Sequence, residues 1–190
     1  MKQLKMIRIG TELREHPLPE GYSYELFDGS EAAISDWLSI CSNGLTPNTD
    51  RIHFQKCILE EPSIVPCRDL FFVVDRNGKR VATSTCTERA EGFGGVHMVA
   101  ALPECRGLGI GHCLITHTVR LLTERGYDAI GLTTDDFRLA AVKVYLDAGF
   151  CPYLWQDSES DMKKRWTEVI ATLGYKGKIE FIEEQDKYNP

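Results

Sequence analysis

The chain has no surplus of basic charge, no paired cysteine motif, no long apolar run, and no repeat or low-complexity tract. Each absence removes a class of protein. Lysine and arginine number 22 against 28 aspartate and glutamate residues, a formal net charge of -6. A nucleic-acid groove needs a concentrated cationic surface to release phosphate counterions, so nucleic acid is not an expected partner. A cationic small molecule is compatible with the balance. The seven cysteines (Cys41, Cys57, Cys67, Cys86, Cys105, Cys113 and Cys151) are odd in number and contain no C-x-x-C pair. Neither a zinc site nor a thioredoxin-like site is signalled, so no metal is expected. Free thiols in a reducing cytoplasm are the expectation. The segment Met1–His16 has no apolar stretch of signal-peptide length. Nowhere are there the roughly 20 apolar residues that a membrane span needs. A soluble, cytoplasmic protein without membrane contact is expected. With 190 residues, 43% of them hydrophobic and 26% charged, residues 1–190 suit one globular domain with a real core.

What is present reads as alternating strands and helices. Leu4–Ile9 alternates, with a phase break between Met6 and Ile7, and predicts a short strand. Tyr22–Phe27 predicts a second strand, after Pro17, Pro19 and Gly21. Ser30 can cap a helix to about Ser42 with Ala33, Trp37 and Ile40 on one stripe. A second helix follows Asn48 or Asp50 and ends before a loop at Pro62 and Pro66. Leu70–Asp75 and Arg80–Glu88 predict strands joined by Asn77-Gly78, read as a tight primed turn with both central residues at positive φ. A glycine loop at Gly92–Gly95 leads to a strand over Val96–Leu102. Beyond it lie a helix over Cys113–Arg125 stopped by Gly126, a strand over Ala129–Thr133 and a helix over Leu139–Ala148. A strand over Phe150–Trp155 and a last helix capped by Ser158 or Ser160 and running to about Leu173 complete the pattern. Gly174–Pro190 is a mixed tail. Hairpins followed by β-α-β-α give an α/β fold, a mixed sheet with helices on its faces.

The most informative segment is Pro103-Glu104-Cys105-Arg106-Gly107-Leu108-Gly109-Ile110-Gly111, between a strand and a helix. A helix start exposes unpaired backbone N–H groups at the positive end of the dipole. Glycines let that backbone approach an anion closely, so a phosphate is the natural guest. The G-x-G-x-x-G dinucleotide fingerprint fails at His112, and the phosphate loop of ATPases fails because His112-Cys113 replaces Lys-Ser/Thr. NAD and ATP are therefore disfavoured.

Arg106-x-x-Gly109-x-Gly111 resembles the R/Q-x-x-G-x-G/A motif of the GNAT N-acetyltransferase superfamily. Ala141-Val142-Lys143-Val144-Tyr145-Leu146-Asp147-Ala148-Gly149-Phe150 resembles its A-x-x-x-Y-x-x-x-G-F signature. The clear resemblance spans residues 70–153. Leu18–Tyr22 and Thr134–Arg138 are similar to mycothiol-synthase-like members, whose substrate is not carried over. The resemblance implies a mostly antiparallel, splayed central sheet and acetyl-CoA as cosubstrate. It also implies direct transfer of the acetyl group to a primary amine of a small molecule, with a homodimer common in the family. It implies that N–H groups from Leu108 through Gly109, Ile110, Gly111 and His112, beside Arg106 and Gly107, hold the pyrophosphate. The pantetheine arm would pair with Val99, Ala100 and Ala101. A peptide acetyltransferase and a CoA-binding sensor without turnover are the alternatives.

Acetyl transfer needs an unprotonated amine, donors for the oxyanion and a proton for the departing thiolate. Tyr145 matches the family's thiolate acid, and a phenol with a pKa near 10 stays a donor at neutral pH. The resemblance puts the oxyanion donor among the backbone N–H groups of Val99–Ala101. His97, read as in phase with Val99 and Ala101, titrates near neutrality and is the candidate base. The other reading of His97 is a histidine bonded to backbone. Glu88, Glu91 and His53 are weaker base candidates, and a water chain would need none. Arg138 stands where the family often has Asn, free to reach a CoA phosphate or face solvent. Asp135-Asp136 reads as a turn and helix cap, Lys163-Lys164-Arg165 as a wet helix face, and the His112 side chain as solvated. Trp37, Trp155 and Trp166 read as packing residues.

Overall fold

The computed structural model describes residues 3–90, 92–154 and 161–183. Its elements run β1 (Leu4–Ile9), β2 (Ser23–Leu26), α1 (Glu31–Cys41), α2 (Arg51–Phe54, continuing as a π turn over Gln55–Leu59) and α3 (Pro66–Asp69). Then come β3 (Leu70–Val74), β4 (Arg80–Ala90), β5 (Phe93–Ala101), α4 (Ile110–Glu124) and β6 (Ala129–Thr134). The chain continues through α5 (Leu139–Asp147), β7 (Cys151–Leu154), α6 (Met162–Leu173) and β8 (Ile182–Glu183). The strands form one eight-stranded sheet in the order β2-β3-β4-β5-β6-β1-β7-β8. Only β5–β6 and β7–β8 are parallel among its pairs.

The phase break in β1 has a simple cause. The strand lies between β6 and β7 and is covered on both faces, so Leu4, Met6, Ile7 and Arg8 are all buried. A central strand need not alternate polar and apolar. The Arg8 guanidinium donates to Ala148 O at 3.2 Å, just beyond the C-terminus of α5, where the helix dipole favours a cation.

One core packs α1 and α2 against β3 and β4 through Trp37, Phe54, Ile58, Phe71 and Phe72. A second joins β1, α4, α5 and α6 through Leu4, Met6, Val119, Phe150 and Trp166. Trp37 and Trp166 are fully buried packing residues, as expected, while Trp155 and the caps Ser158 and Ser160 lie outside the described residues. Ser30 does cap α1, its Oγ accepting from Ala33 N at 3.1 Å.

Several boundaries move. At Asn77-Gly78 only Gly78 has a positive φ, of 79°. Asp75 takes over the turn, its carboxylate accepting from Asn77 N at 2.8 Å and Lys79 N at 3.0 Å. The loop is thus a three-residue turn with a bulge, and the β3–β4 register shifts at Val73/Val74. Gly94 and Gly95 belong to β5 rather than to a loop. Pro66 opens the short helix α3 where a loop was expected. Arg165 is buried and ion-paired with Asp136 rather than solvated. Asp135 and Asp136 make a turn but do not cap α5, because both carboxylates are spent on Arg138 and Arg165.

Candidate active site

The splay of the sheet makes the site. β5 pairs with β6 only from Phe93 to Gly95, whereas β6 pairs with β1 along its whole length. Beyond Gly95 the β6-side edge of β5 therefore carries no strand. Along its other edge β5 stays on β4, but with a bulge: His97 sits opposite Thr85 and Ala100 opposite Thr83, so two residues face Ser84. Met98 absorbs the extra residue at φ 50°, a conformation that non-glycine residues seldom adopt. The bulge corrects the expected phase. His97 shares a face with Ala100, not with Val99 and Ala101. That face is the α2 side, where His97 Nε2 lies 3.2 Å from Cys57 O. The opposite face meets α4, as the 2.8 Å bond between Ser84 Oγ and Thr118 Oγ1 records.

After β5 the chain passes through a short turn at Pro103–Cys105 and enters α4 at Ile110, three residues earlier than expected. Gly109 is the N-cap at φ 77°, and its missing side chain leaves the cap without a side-chain bond. The first helical N–H with a described carbonyl is that of Cys113, on Gly109 O at 3.1 Å. The N–H groups of Ile110, Gly111 and His112 are thus the first-turn donors that a helix cannot satisfy itself. Leu108 N turns back onto Cys105 O at 3.3 Å, so it is a poorer donor to an anion. A Cβ built at Gly107 or Gly109 would meet nothing within 4 Å, so the turn faces open space. A pyrophosphate fits this cradle by backbone donors and dipole together.

A cleft of about 880 Å³ joins these parts. Val99, Ala100, Ala101, Arg106, Gly107, Gly109, Ile110, Gly111, His112, Arg138 and Tyr145 all line it; Leu108, 44% exposed, does not. Tyr145 is 8% exposed, and its hydroxyl has no hydrogen-bond partner among the described residues. Burial pushes its pKa up to about 12 against the opposing charge of Arg138, so it holds its proton firmly at neutral pH. Arg138 lines the cleft, with its guanidinium tied to protein groups rather than turned to solvent. Its Nε donates to Asp135 at 2.8 Å, and its Nη2 donates to Leu45 O at 3.0 Å, tying the α1–α2 loop across the cleft mouth. The His112 ring is half-buried rather than solvated, with Nε2 3.0 Å from Asp147 Oδ2.

Among the base candidates, His97 is half-buried, and burial holds its pKa below the ordinary 6.5, so the ring is neutral at pH 7. The Cys57 carbonyl requires the proton on Nε2, which leaves Nδ1 as an acceptor. The reading of His97 as a histidine bonded to backbone is thus met, and the ring keeps one nitrogen that can accept a proton. Glu88 is spent on Arg68 at 2.9 Å, His53 packs against Cys57, and Glu91 lies outside the described residues. Sequence reasoning missed the α1–α2 loop residues Asn43, Gly44 and Leu45, which line the cleft without any motif. Among the described residues, no group of His, Cys, Asp and Glu could hold a metal, and no helix is long and apolar enough to cross a membrane.

Comparison with known proteins meets this geometry directly. The model of the Acetyltransferase (GNAT) family matches residues 32–150, more than half of the chain. The chain belongs to that family. A mycothiol acetyltransferase from Streptomyces avermitilis is 27% identical over 157 residues, covering 80% of this chain and 50% of the relative. The chain thus spans about half the length of the curated relatives it matches. A GCN5-related N-acetyltransferase from Kribbella flavida superposes with a TM-score of 0.55 at 22% identity, over 79% of this chain and 54% of that one. The NatC complex, solved with a Gag peptide and CoA, superposes at 0.56 and 18% identity, over 66% of this chain and 82% of that one. At those identities the structures speak for the GNAT fold alone.

Proposed function

We propose that this GNAT chain transfers the acetyl group of acetyl-CoA directly to the primary amine of a small molecule. The observation that carries the reading is one cleft in which an unpaired strand edge, a helix-start anion cradle and a buried, unpartnered phenol converge. Bound acetyl-CoA supplies an activated acyl thioester. The chain's own residues then do four things. The N–H groups of Gly109–His112 hold the diphosphate. The open edge at Val99–Ala101 receives an extended arm and offers N–H donors to the oxygen on which negative charge grows. Neutral His97 accepts the proton of the attacking nitrogen at Nδ1, directly or through a water. Tyr145 gives its proton to the leaving sulfur as the carbon–sulfur bond breaks and the carbon–nitrogen bond forms.

A mechanism of general acid and base around a direct displacement needs no residue to be acylated, in keeping with cysteines whose thiols burial pushes up rather than down. The test is thiol release from acetyl-CoA across amines, amino acids, aminoglycosides, polyamines and peptides, with binding of acetyl-CoA followed by calorimetry. Acceptor-dependent release is the expected result. Absence of acetyl-CoA binding would overturn the reading, and binding with no release for any acceptor would favour a sensor.

A further inference from the structure

A second cavity, of about 440 Å³, opens on the α2 face of β5 and is lined by Glu61, Pro62 and Ser63 after α2, Thr87, Glu88 and Arg89 on β4, and His97 on β5. It lies on the face to which His97 points, away from the α4 face. Its chemistry is unlike that of the cofactor cleft. Thr87 is 2% exposed, and its hydroxyl is buried with no partner, a cost that a native fold seldom accepts without a ligand or water. Glu61 Oε1 takes both the backbone N–H and the hydroxyl of Ser63, at 3.3 and 2.8 Å, which fixes the carboxylate and leaves Oε2 unengaged among the described residues. The Ser63 hydroxyl holds Glu61 below the usual carboxylate range, so it is charged at neutral pH.

Arg89 is the contrast. Arg68, Arg80 and Arg125 each pair with carboxylates, but Arg89 makes no ion pair with any described residue. It lies over Gly95, where a Cβ would come 3.1 Å from its Nε and 2.3 Å from Thr87 Oγ1. Glycine at 95 is what lets the guanidinium and the hydroxyl lie across β5. The site therefore offers two carboxylates, of which Glu88 is engaged by Arg68 and Glu61 is not ion-paired among the described residues. Beside a neutral proton acceptor it also offers one exposed planar cation without an ion pair among those residues.

We propose that this pocket is the acceptor site and that it selects an amine carrying its own carboxylate, of the α-amino acid class. Glu61 receives the ammonium, and Arg89 takes the carboxylate in a two-pronged contact that its planar fork favours. Thr87 supplies one further hydrogen bond from the floor, and His97 removes the proton. The volume suits a small molecule. The inference rests on the acetyltransferase reading above, and the test separates the two.

The protein is given saturating acetyl-CoA and either a pool of the twenty L-amino acids or a pool of their amides, and N-acetyl products are measured by mass spectrometry. Acetyl-CoA binding is followed in parallel by calorimetry. The acids should be preferred on the order of tenfold to a hundredfold, the range for a hydrogen bond to a charged group. Arg89→Gln should bring that ratio to near one, and Arg89→Lys should keep part of it. Amides used as well as acids would overturn the proposal. So would a ratio unchanged in Arg89→Gln, or no product from either pool while acetyl-CoA still binds. Failure of the wild-type chain to bind acetyl-CoA would instead overturn the acetyltransferase reading itself.

Discussion

The two faces of β5 are built from different materials. Toward α4 and the glycine turn the site is backbone: an unpaired strand edge and the N–H groups of a helix start, with Tyr145 the main side chain aimed inward. Toward α2 the site is side chains on three separate stretches, with Glu61 after α2, Thr87 and Arg89 on β4, and His97 on β5. Backbone sites depend on conformation, so they leave glycines at fixed spacing. Side-chain sites depend on tertiary placement and leave no local pattern. On the proposed reading, one face would hold the cosubstrate and the other the acceptor.

The sharpest way to break that comparison is at Gly109. Its φ of 77° is one that side chains rarely adopt, yet a Cβ there would meet no atom within 4 Å. Gly109→Asp adds strain and a negative charge at the anion cradle. It should weaken acetyl-CoA binding more than a hundredfold by calorimetry while the fold, by circular dichroism, persists. Gly109→Asn, which tolerates the left-handed region better, should lose much less. Equal affinity in a folded Gly109→Asp protein would show that the cradle does not hold the phosphates.

Next in size is Tyr145→Phe. The ring packs against Phe150 at 6.2 Å between centroids, so phenylalanine preserves the core. Loss of the hydroxyl should cut kcat on the order of 10²–10⁴, the range for a positioned general acid, with the acetyl-CoA Kd changed less than about twofold. A kcat within about twofold of wild type, against that same range, would reduce Tyr145 to a packing residue.

These two positions also mark how far the sequence was legible. Gly109 and Tyr145 sit in runs where element type and spacing agree, so the order of elements over residues 103–150 was legible, while the start of α4, the missing cap of α5 and the His112–Asp147 pair were not. The His97 phase was misread because a one-residue bulge carries no signal beyond an ordinary Met98. Arg89 and Thr87 had one trace, the Gly94-Gly95 doublet inside a strand, which marks close approach by a neighbour. The Arg138 tie to Leu45 joins loops 93 residues apart, and nothing local foretells it.

His97 tests the side-chain face. Its lowered pKa keeps the ring neutral through pH 7, so a base at this position loses function only as pH falls below 6.5, when the ring takes up a proton. Glu61 favours that proton and Arg89 opposes it, with burial the largest influence. The wild-type kcat/KM should therefore carry an acid limb below pH 6.5. His97→Gln should lower kcat on the order of a hundredfold and abolish that limb. An acid limb retained in His97→Gln would assign deprotonation to another group or to water.

The smallest expected effect lies at Arg138, where the two faces meet. Its guanidinium spans from Asp135, beside the cofactor cleft, to the Leu45 carbonyl on the α1–α2 loop. Arg138→Leu removes both bonds, and a typical hydrogen bond contributes about 1 kcal/mol. The freed carbonyl sits in a half-buried loop that water can reach, which limits the penalty. Acetyl-CoA affinity should therefore fall only several-fold, roughly the factor that about 1 kcal/mol gives. The loop itself should loosen more visibly, with faster amide exchange over residues 43–46, because it loses its one side-chain tie across the cleft among the described residues. If affinity falls a hundredfold instead, Arg138 holds the cosubstrate directly, and the cofactor face owes more to side chains than its glycine turn suggests. If exchange in the loop is unchanged, the α1–α2 loop is held by α1 alone, and the two faces of β5 are independent of one another.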